Sequence, residues 1–394
     1  MTTSELQHPA VTVPPANPGP IRVEIVETTA GFDALQPDWD TLVDRMASSS
    51  PFVRWDWMRG WWSVHRRDFG LCIAVARDLA GRPVGIAPLV IGYDQHGGRH
   101  HLNQLFFLAG CGAAQGERLD FIVPAGWEAL VAPELSRALE ILETRWDAVR
   151  LNHIPEESPN LPHLLRIAAK AGIGLKVLNR SSCHIIDLPE DMNTFVHSRS
   201  GNWRRNLNRN WRHLVKHHAA RQGVAGRDAA PMEVFDRMGR LHGLRIAPIH
   251  SLFLQPDAWR FHRKLAEKWL WSGRAALTFI ETDREISAAT LVLMDRGEAS
   301  LFQLGWDPCF ARQSLGLHSV RWSIEHAIDH EARLYDTLPG DARYKAELAT
   351  RSRCVLDLEA FHPHSANASL FRWLRGLKRR CLPRDPKLPP MLFS

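Results

Sequence analysis

Residues 301–345 read LFQLGWDPCFARQSLGLHSVRWSIEHAIDHEARLYDTLPGDARYK, and four pieces follow from that string. Leu301–Leu304 is an apolar run suited to a buried strand. Gly305 to Leu315 reads as a loop, opened by Trp306, Asp307 and Pro308. From Gly316 to Ala332 the apolar residues Leu317, Val320, Ile324, Ala327 and Ile328 recur at three- and four-residue steps, which is helical spacing. Leu334–Leu338 reads as a second strand, stopped by Pro339-Gly340. Strand, loop, helix and strand make a right-handed crossover if the two strands are parallel. The loop then feeds a helix N-terminus, whose unpaired N–H groups and dipole can hold an anion such as a pyrophosphate.

Within this stretch Gln313-Ser-Leu-Gly316-Leu-His318 resembles the acyl-CoA pyrophosphate loop of the GNAT acetyltransferases, Gln/Arg-x-x-Gly-x-Gly/Ala. His318 departs from the pattern, because a small residue is usual there. Gly305-x-Asp307, the Gly316 turn and Leu338-Pro-Gly-Asp…Tyr344-Lys345 are similar to a two-lobed bacterial GNAT-like family associated with cellulose and exopolysaccharide biosynthesis. That family is related to the Fem-type peptidyltransferases, whose donor is aminoacyl-tRNA. The resemblance spans roughly residues 51–357. It implies a mixed α/β fold made of two tandem GNAT-like acyl-CoA N-acyltransferase lobes.

Working outward, the bulk properties fit that size. A chain of 394 residues with 45% hydrophobic and 23% charged residues suits two soluble domains with real cores. No run approaches eighteen apolar residues, so no transmembrane helix is expected. Residues 1–20 are rich in proline and lack the basic and apolar regions of a signal peptide, which reads as a disordered leader. Six scattered cysteines without a C-x-x-C suit a reduced, cytoplasmic protein.

The chain also reads as a duplication. Leu71–Ile91 is strand, polar turn, strand, and Ala276–Leu293 repeats the plan. Leu105–Gly112 parallels Leu301–Asp307, and Trp146–Pro155 parallels Ala332–Pro339. Three matched segments in one order divide the chain at about 21–183 and 184–360, with a basic tail at 361–394. Phe32–Met46 reads as a helix, Leu119–Val123 as a strand. The aromatic run Pro51-Phe-Val-Arg-Trp-Asp-Trp-Met-Arg-Gly-Trp-Trp62 reads as core, or as one wall of the acceptor site. Gly110-Cys-Gly112-Ala-Ala-Gln-Gly116 is not a dinucleotide loop, because a strand rather than a helix follows it. Asp120 matches an aspartate of the similar family, with a substrate contact and a loop-capping carboxylate as its two readings.

Charge is unevenly placed. Residues 199–221 hold Arg199, Arg204, Arg205, Arg209, Arg212, Lys216 and Arg221 with no acid. Residues 366–394 hold seven more cations against Asp385, so the rest of the chain is net acidic. The first focus is a solvated face, a surface for phosphates of substrate or donor, or a nucleic-acid contact. The resemblance puts Arg205 where the family's most regular arginine lies. His213, His217 and His218 lack zinc-ligand spacing, and no metal is expected. In the tail Leu370, Phe371, Trp373, Leu374 and Leu377 share a face ringed by cations, suited to an anionic membrane surface or to docking on its own domain.

No Gly-x-Ser-x-Gly elbow, P-loop or His-Glu-x-x-His is present, so hydrolase, nucleotidase and zinc-protease readings have no support. Acyl transfer from a thioester needs less: fixed phosphates, a neutral amine, an oxyanion donor and an acid for the thiolate. Ser314 to His318, with Gln313, are the candidate pyrophosphate contacts, and Gln303 to Gly305 the candidate oxyanion edge. Asp307 is the candidate base or amine-orienting carboxylate. By resemblance Tyr344 is the general acid and Lys345 a donor-phosphate contact. The expected function is transfer of an acyl group, acetyl first among them, from acyl-CoA to a small-molecule or saccharide amine. The alternatives are an aminoacyl-tRNA donor or an inactive scaffold at the membrane surface.

Overall fold

The computed structural model describes residues 18–48, 50–93, 102–247, 250–340 and 342–381, with side chains up to Trp373. Most of the expected leader and the last thirteen residues of the tail lie outside these. Among the described residues there are fourteen strands: β1 (Arg22–Val26), β2 (Phe69–Leu71), β3 (Ile73–Arg77), β4 (Pro83–Ala87), β5 (Leu89–Tyr93), β6 (Asn103–Phe107) and β7 (Ala148–Pro155) come first. β8 (Lys176–Asp187), β9 (Arg221–Val224), β10 (Ala275–Thr282), β11 (Glu285–Asp295), β12 (Glu298–Trp306), β13 (Leu334–Pro339) and β14 (Arg351–Phe361) follow. Eleven of them form one mixed sheet in the order β2-β5-β6-β7-β14-β8-β13-β12-β11-β10-β9, and β1-β3-β4 form a small second sheet.

The crossover expected from residues 301–345 is present. β12 and β13 are parallel, with Glu298, Ala299 and Ser300 opposite Leu334, Tyr335 and Asp336. The helix between them is Leu315–Asp329. β12 runs farther than expected, through Trp306, and the stretch read as loop contains a 3-10 turn at Pro308–Gln313.

The first lobe repeats the plan. β6 and β7 are parallel through Gln104, Leu105 and Phe106 opposite Ala148, Val149 and Arg150. Its long hairpin is broken, unlike β10–β11, because Pro88 between β4 and β5 has no N–H to give the ladder. Cys72 N still donates to the Leu89 carbonyl at 3.0 Å, so the chain bends there and β3 and β4 leave the main sheet. Phe32–Met46 is two short helices, Thr29–Asp33 and Gln36–Asp44, and not one. Leu119–Val123 is not a strand; only Ile122 pairs, bridging to Ile86.

The lobes share their central strands. β8 follows the first lobe in sequence yet pairs with β13, while β14 ends the second lobe and pairs with β7. β8 and β14 pair with each other over most of their length. Residues 183 and 184, where the sequence divides into lobes, fall inside β8. Beneath the sheet the aromatic run 51–62 joins the lobes. Trp57 is fully buried and meets Phe52, Phe261 and Phe302 edge-on at 4.7, 5.4 and 5.2 Å. Edge-to-face pairs add about 0.5–1.5 kcal/mol each beyond their burial. The tryptophans of the run are therefore core, and Trp57 is the one that joins the lobes.

Candidate active site

Past Ser300 and Asp336 β12 and β13 part company, and their ends diverge on one edge of the sheet. The divergence is held open from behind. Gly305 lies against the helix Pro231–Gly243 so closely that a Cβ there would sit 2.2 Å from the Met238 carbonyl. The Leu304 N–H donates at 3.1 Å to Oε1 of Gln303, at a point where β13 no longer pairs with β12. His242, on the same helix, has Nδ1 3.4 Å from the Leu304 carbonyl and Nε2 3.0 Å from the Ser251 hydroxyl.

Tyr344 stands one turn beyond β13, in the helix Arg343–Leu348. It packs on the apolar cluster of Tyr335, Val320 and Leu348, beside Leu304, Leu317 and Trp203. Burial pushes its phenol up to about 12, and the nearby Arg245 guanidinium opposes this. Arg245 lies over the Trp306 ring at 4.8 Å, so Trp306, Arg245 and Tyr344 connect the two diverging strand ends. Lys345 Nζ donates to the carbonyls of Leu338 and Pro339 at 3.1 and 3.0 Å, tying Tyr344's helix to the end of β13. Asp307 is half-buried, and its Oδ1 accepts from Cys309 N at 2.9 Å, capping the 3-10 turn. Neither Arg245 nor Trp306 stood out in sequence. Arg245 follows a helix sixty residues upstream, and Trp306 read only as a loop opener.

The first turn of the helix Leu315–Asp329 is crossed by another helix, Gly201–His218. Ser200 caps that second helix by accepting from Trp203 N at 3.2 Å. Its inner face carries Asn210, whose amide reaches the Ser314 hydroxyl at 3.4 Å, and Leu214, which packs with Leu315. Trp211 lies 5.2 Å from the ring of His318. His318 is 1% exposed and neither ring nitrogen has a partner. Burial pushes its imidazole down to about 4, so it is neutral at physiological pH. Gln313 Oε1 is likewise buried without a partner. Gly316 is small because Trp306 needs the space, a Cβ there lying 2.8 Å from the indole nitrogen. A coenzyme A diphosphate seated on this turn, as the loop resemblance implies, does not fit these residues. The imidazole, Trp211 and Trp306 pack closely around the turn, and Leu315 and Gly316 are buried.

The outer face of the same helix is different. Arg204, Arg205, Arg209 and Arg212 line an open groove with Asn202, Asn206, Asn208, Val196 and His197. Among the described residues none of these arginines meets a carboxylate within 4 Å. Arg199, just before the helix, donates to the Leu348 carbonyl at 2.8 Å, so the groove begins beside the helix that carries Tyr344.

Asp120 belongs to the first lobe and lies apart from this group. Its Oδ2 accepts from Ser158 at 2.5 Å, and its Oδ1 accepts from Asn160 and from Phe121 N at 3.1 and 2.7 Å. Burial raises its carboxyl to about 6 against those three bonds. This is a loop-holding carboxyl. The first lobe's own strand divergence is covered by the loop that carries Arg118, which pairs with Glu298 at 2.7 Å and faces Asp336 of the second lobe.

Residues 201–346 match the family described as acetyltransferase (GNAT) domain. The second lobe has a GNAT-like fold. FemX shares the fold over 89% of this chain and 99% of its own, with a TM-score of 0.58 and 11% identity. A conserved protein of unknown function from Bacteroides thetaiotaomicron VPI-5482 shares it over 86% and 100%, with a TM-score of 0.52 and 7% identity. No curated protein matches the chain in sequence. Because β6–β7 repeats the β12–β13 crossover, the GNAT plan is present twice, and the repeat ahead of the matched region is the first lobe. Among the described residues no cluster of three or more His, Cys, Asp or Glu could hold a metal. No described helix is long and apolar enough to cross a membrane.

Proposed function

We propose that the protein is an N-acyltransferase whose reaction takes place in the GNAT lobe, where β12 diverges from β13, with the acceptor amine entering between the lobes. The observation that carries this reading is the half-buried, protonated phenol of Tyr344 beside Arg245, near a strand end that no longer pairs with β13 and whose Leu304 N–H donates to the Gln303 side chain. In an acyl transfer the Leu304 N–H is the donor to the developing oxyanion once Gln303 moves aside. Tyr344 returns a proton to the leaving group. Lys345 fixes the turn from which Tyr344 projects. Asp307, partly exposed at the end of β12, is the carboxylate assigned to the amine.

For the donor, the GNAT domain supports a CoA thioester. A second reading, an aminoacyl ester of tRNA, is favoured by the arginines of the helix Gly201–His218, which no acid among the described residues pairs with. The two separate in one experiment. Purified protein is offered acetyl-CoA or charged tRNA with a panel of amines and amino sugars, and the acylated product is read by mass. Product from the CoA arm supports the first reading and product from the tRNA arm the second. No product from either removes the enzymatic reading and leaves a scaffold.

A further inference from the structure

We infer that the phosphates of the acyl donor bind on the outer, arginine-bearing face of the helix Gly201–His218, and not on the first turn of the helix Leu315–Asp329. The inference rests on the reading that the donor is a phosphate ester, and it concerns where that ester docks. One helix performs both parts of the change. Its inner face, through Asn210, Trp211 and Leu214, packs onto the turn where a diphosphate would otherwise meet backbone N–H groups. His318, at the position where the GNAT pattern has a small residue, is buried in that contact.

The outer face supplies the charge that the turn no longer presents. Arg205, Arg209 and Arg212 are spaced i, i+4 and i+7 and so share one face, a stripe about 10 Å long at 1.5 Å per residue. All three are exposed, and Arg204 borders them. Like charges at i, i+4 repel, and no carboxylate nearby offsets them, so a bound anion stabilises this helix where its absence costs. Guanidinium forks match phosphate oxygens two at a time, and Asn202, Asn206 and Asn208 add amide donors along the groove. The groove starts next to Arg199 and the Leu348 carbonyl, one turn from Tyr344, so phosphates held there leave the acyl end within reach of the divergent strands.

The chemistry is shared by coenzyme A and by an RNA backbone, and the test has an arm for each. Binding of coenzyme A and of deacylated tRNA is measured by calorimetry or anisotropy across a salt series, for the intact chain and for Arg205→Ala/Arg209→Ala. Both arginines are exposed, so the double variant should melt as the parent does. The expected result is at least a tenfold loss of affinity for one probe and a shallower dependence on salt. The probe affected names the donor's phosphate carrier. His318→Gly should not weaken binding of that probe. Equal binding of both probes by parent and double variant overturns the inference, as does no binding of either by the parent. Transfer of acetyl from a phosphate-free pantetheine thioester at full rate would instead remove the donor reading beneath it.

Discussion

Single residues carry their chemistry through burial. Asp120 shows this most plainly, because its carboxyl sits near 6 where a free one titrates near 3.9. Between those values the folded protein holds a proton that the unfolded chain has released. Stability from this group is therefore full below about pH 4 and is lost as pH rises through 6. Asp120→Asn keeps the bonds to Phe121 N and Ser158 without an ionisable group. The unfolding free energy of the variant relative to the parent should climb between pH 4 and 6.5 and then level off. A pH-independent difference would contradict the burial argument. At this scale the sequence was legible where a residue acts through its neighbours in the chain. Asp307 caps its own turn, and Asp120 was read as a loop-capping carboxylate alongside its substrate reading. It was illegible where partners come from afar: the Arg245–Tyr344 pairing spans about a hundred residues, and nothing in the local spacing announces it.

Elements were read well when periodicity alone specified them. The helix Leu315–Asp329 and the strand Leu334–Pro339 follow the expected spacing closely, because the helix buries one stripe of apolar residues and the strand is a short apolar run buried on both faces. The break at Pro88 and the absence of a strand at Leu119–Val123 have no signature in the residue pattern, since both depend on which backbone groups find partners. The same holds for the helix Gly201–His218. Its charge was evident, but its inner face of Trp203, Leu207, Asn210, Trp211 and Leu214 was outweighed by the arginines around it. A direct check at this scale is Gly305→Ala. The added methyl meets the Met238 carbonyl at 2.2 Å and His242 N at 2.9 Å, both backbone atoms that cannot swing away. We expect a loss of about 1–3 kcal/mol or more, as for overpacked sites, seen as a lower urea midpoint at unchanged slope. An unchanged midpoint would mean the helix Pro231–Gly243 does not press on β12 as described.

At the scale of the whole molecule the two lobes share one sheet through β8 and β14. Duplication could be read from three ordered segments, but the exchange of β8 and β14 could not, because an alternating strand does not name its neighbour. Joining the lobes further, Arg54 of the first lobe is 3% exposed and reaches Asp295 of the second at 2.6 Å. Asp295 is itself only 7% exposed, whereas Asp44, the other partner of Arg54, is largely in solvent. Arg54→Ala breaks a buried ion pair between the lobes, which typically costs about 3–5 kcal/mol. We expect that loss in equilibrium denaturation, with both lobes still melting in one transition. A loss below about 1 kcal/mol, or two separate transitions, would show that the lobes are independent.

The central claim is that acyl transfer takes place where β12 and β13 diverge, with Tyr344 as the acid. The measurement that reaches it most directly is the single-turnover rate of acyl transfer by Tyr344→Phe beside the parent, from pH 6 to 10 and with the donor that yields product. With its phenol raised to about 12, Tyr344 stays protonated throughout that range. The account predicts a rate lower by roughly 10- to 100-fold at every pH, with donor affinity unchanged and the shape of the profile preserved. A variant that turns over at the parent's rate would contradict it.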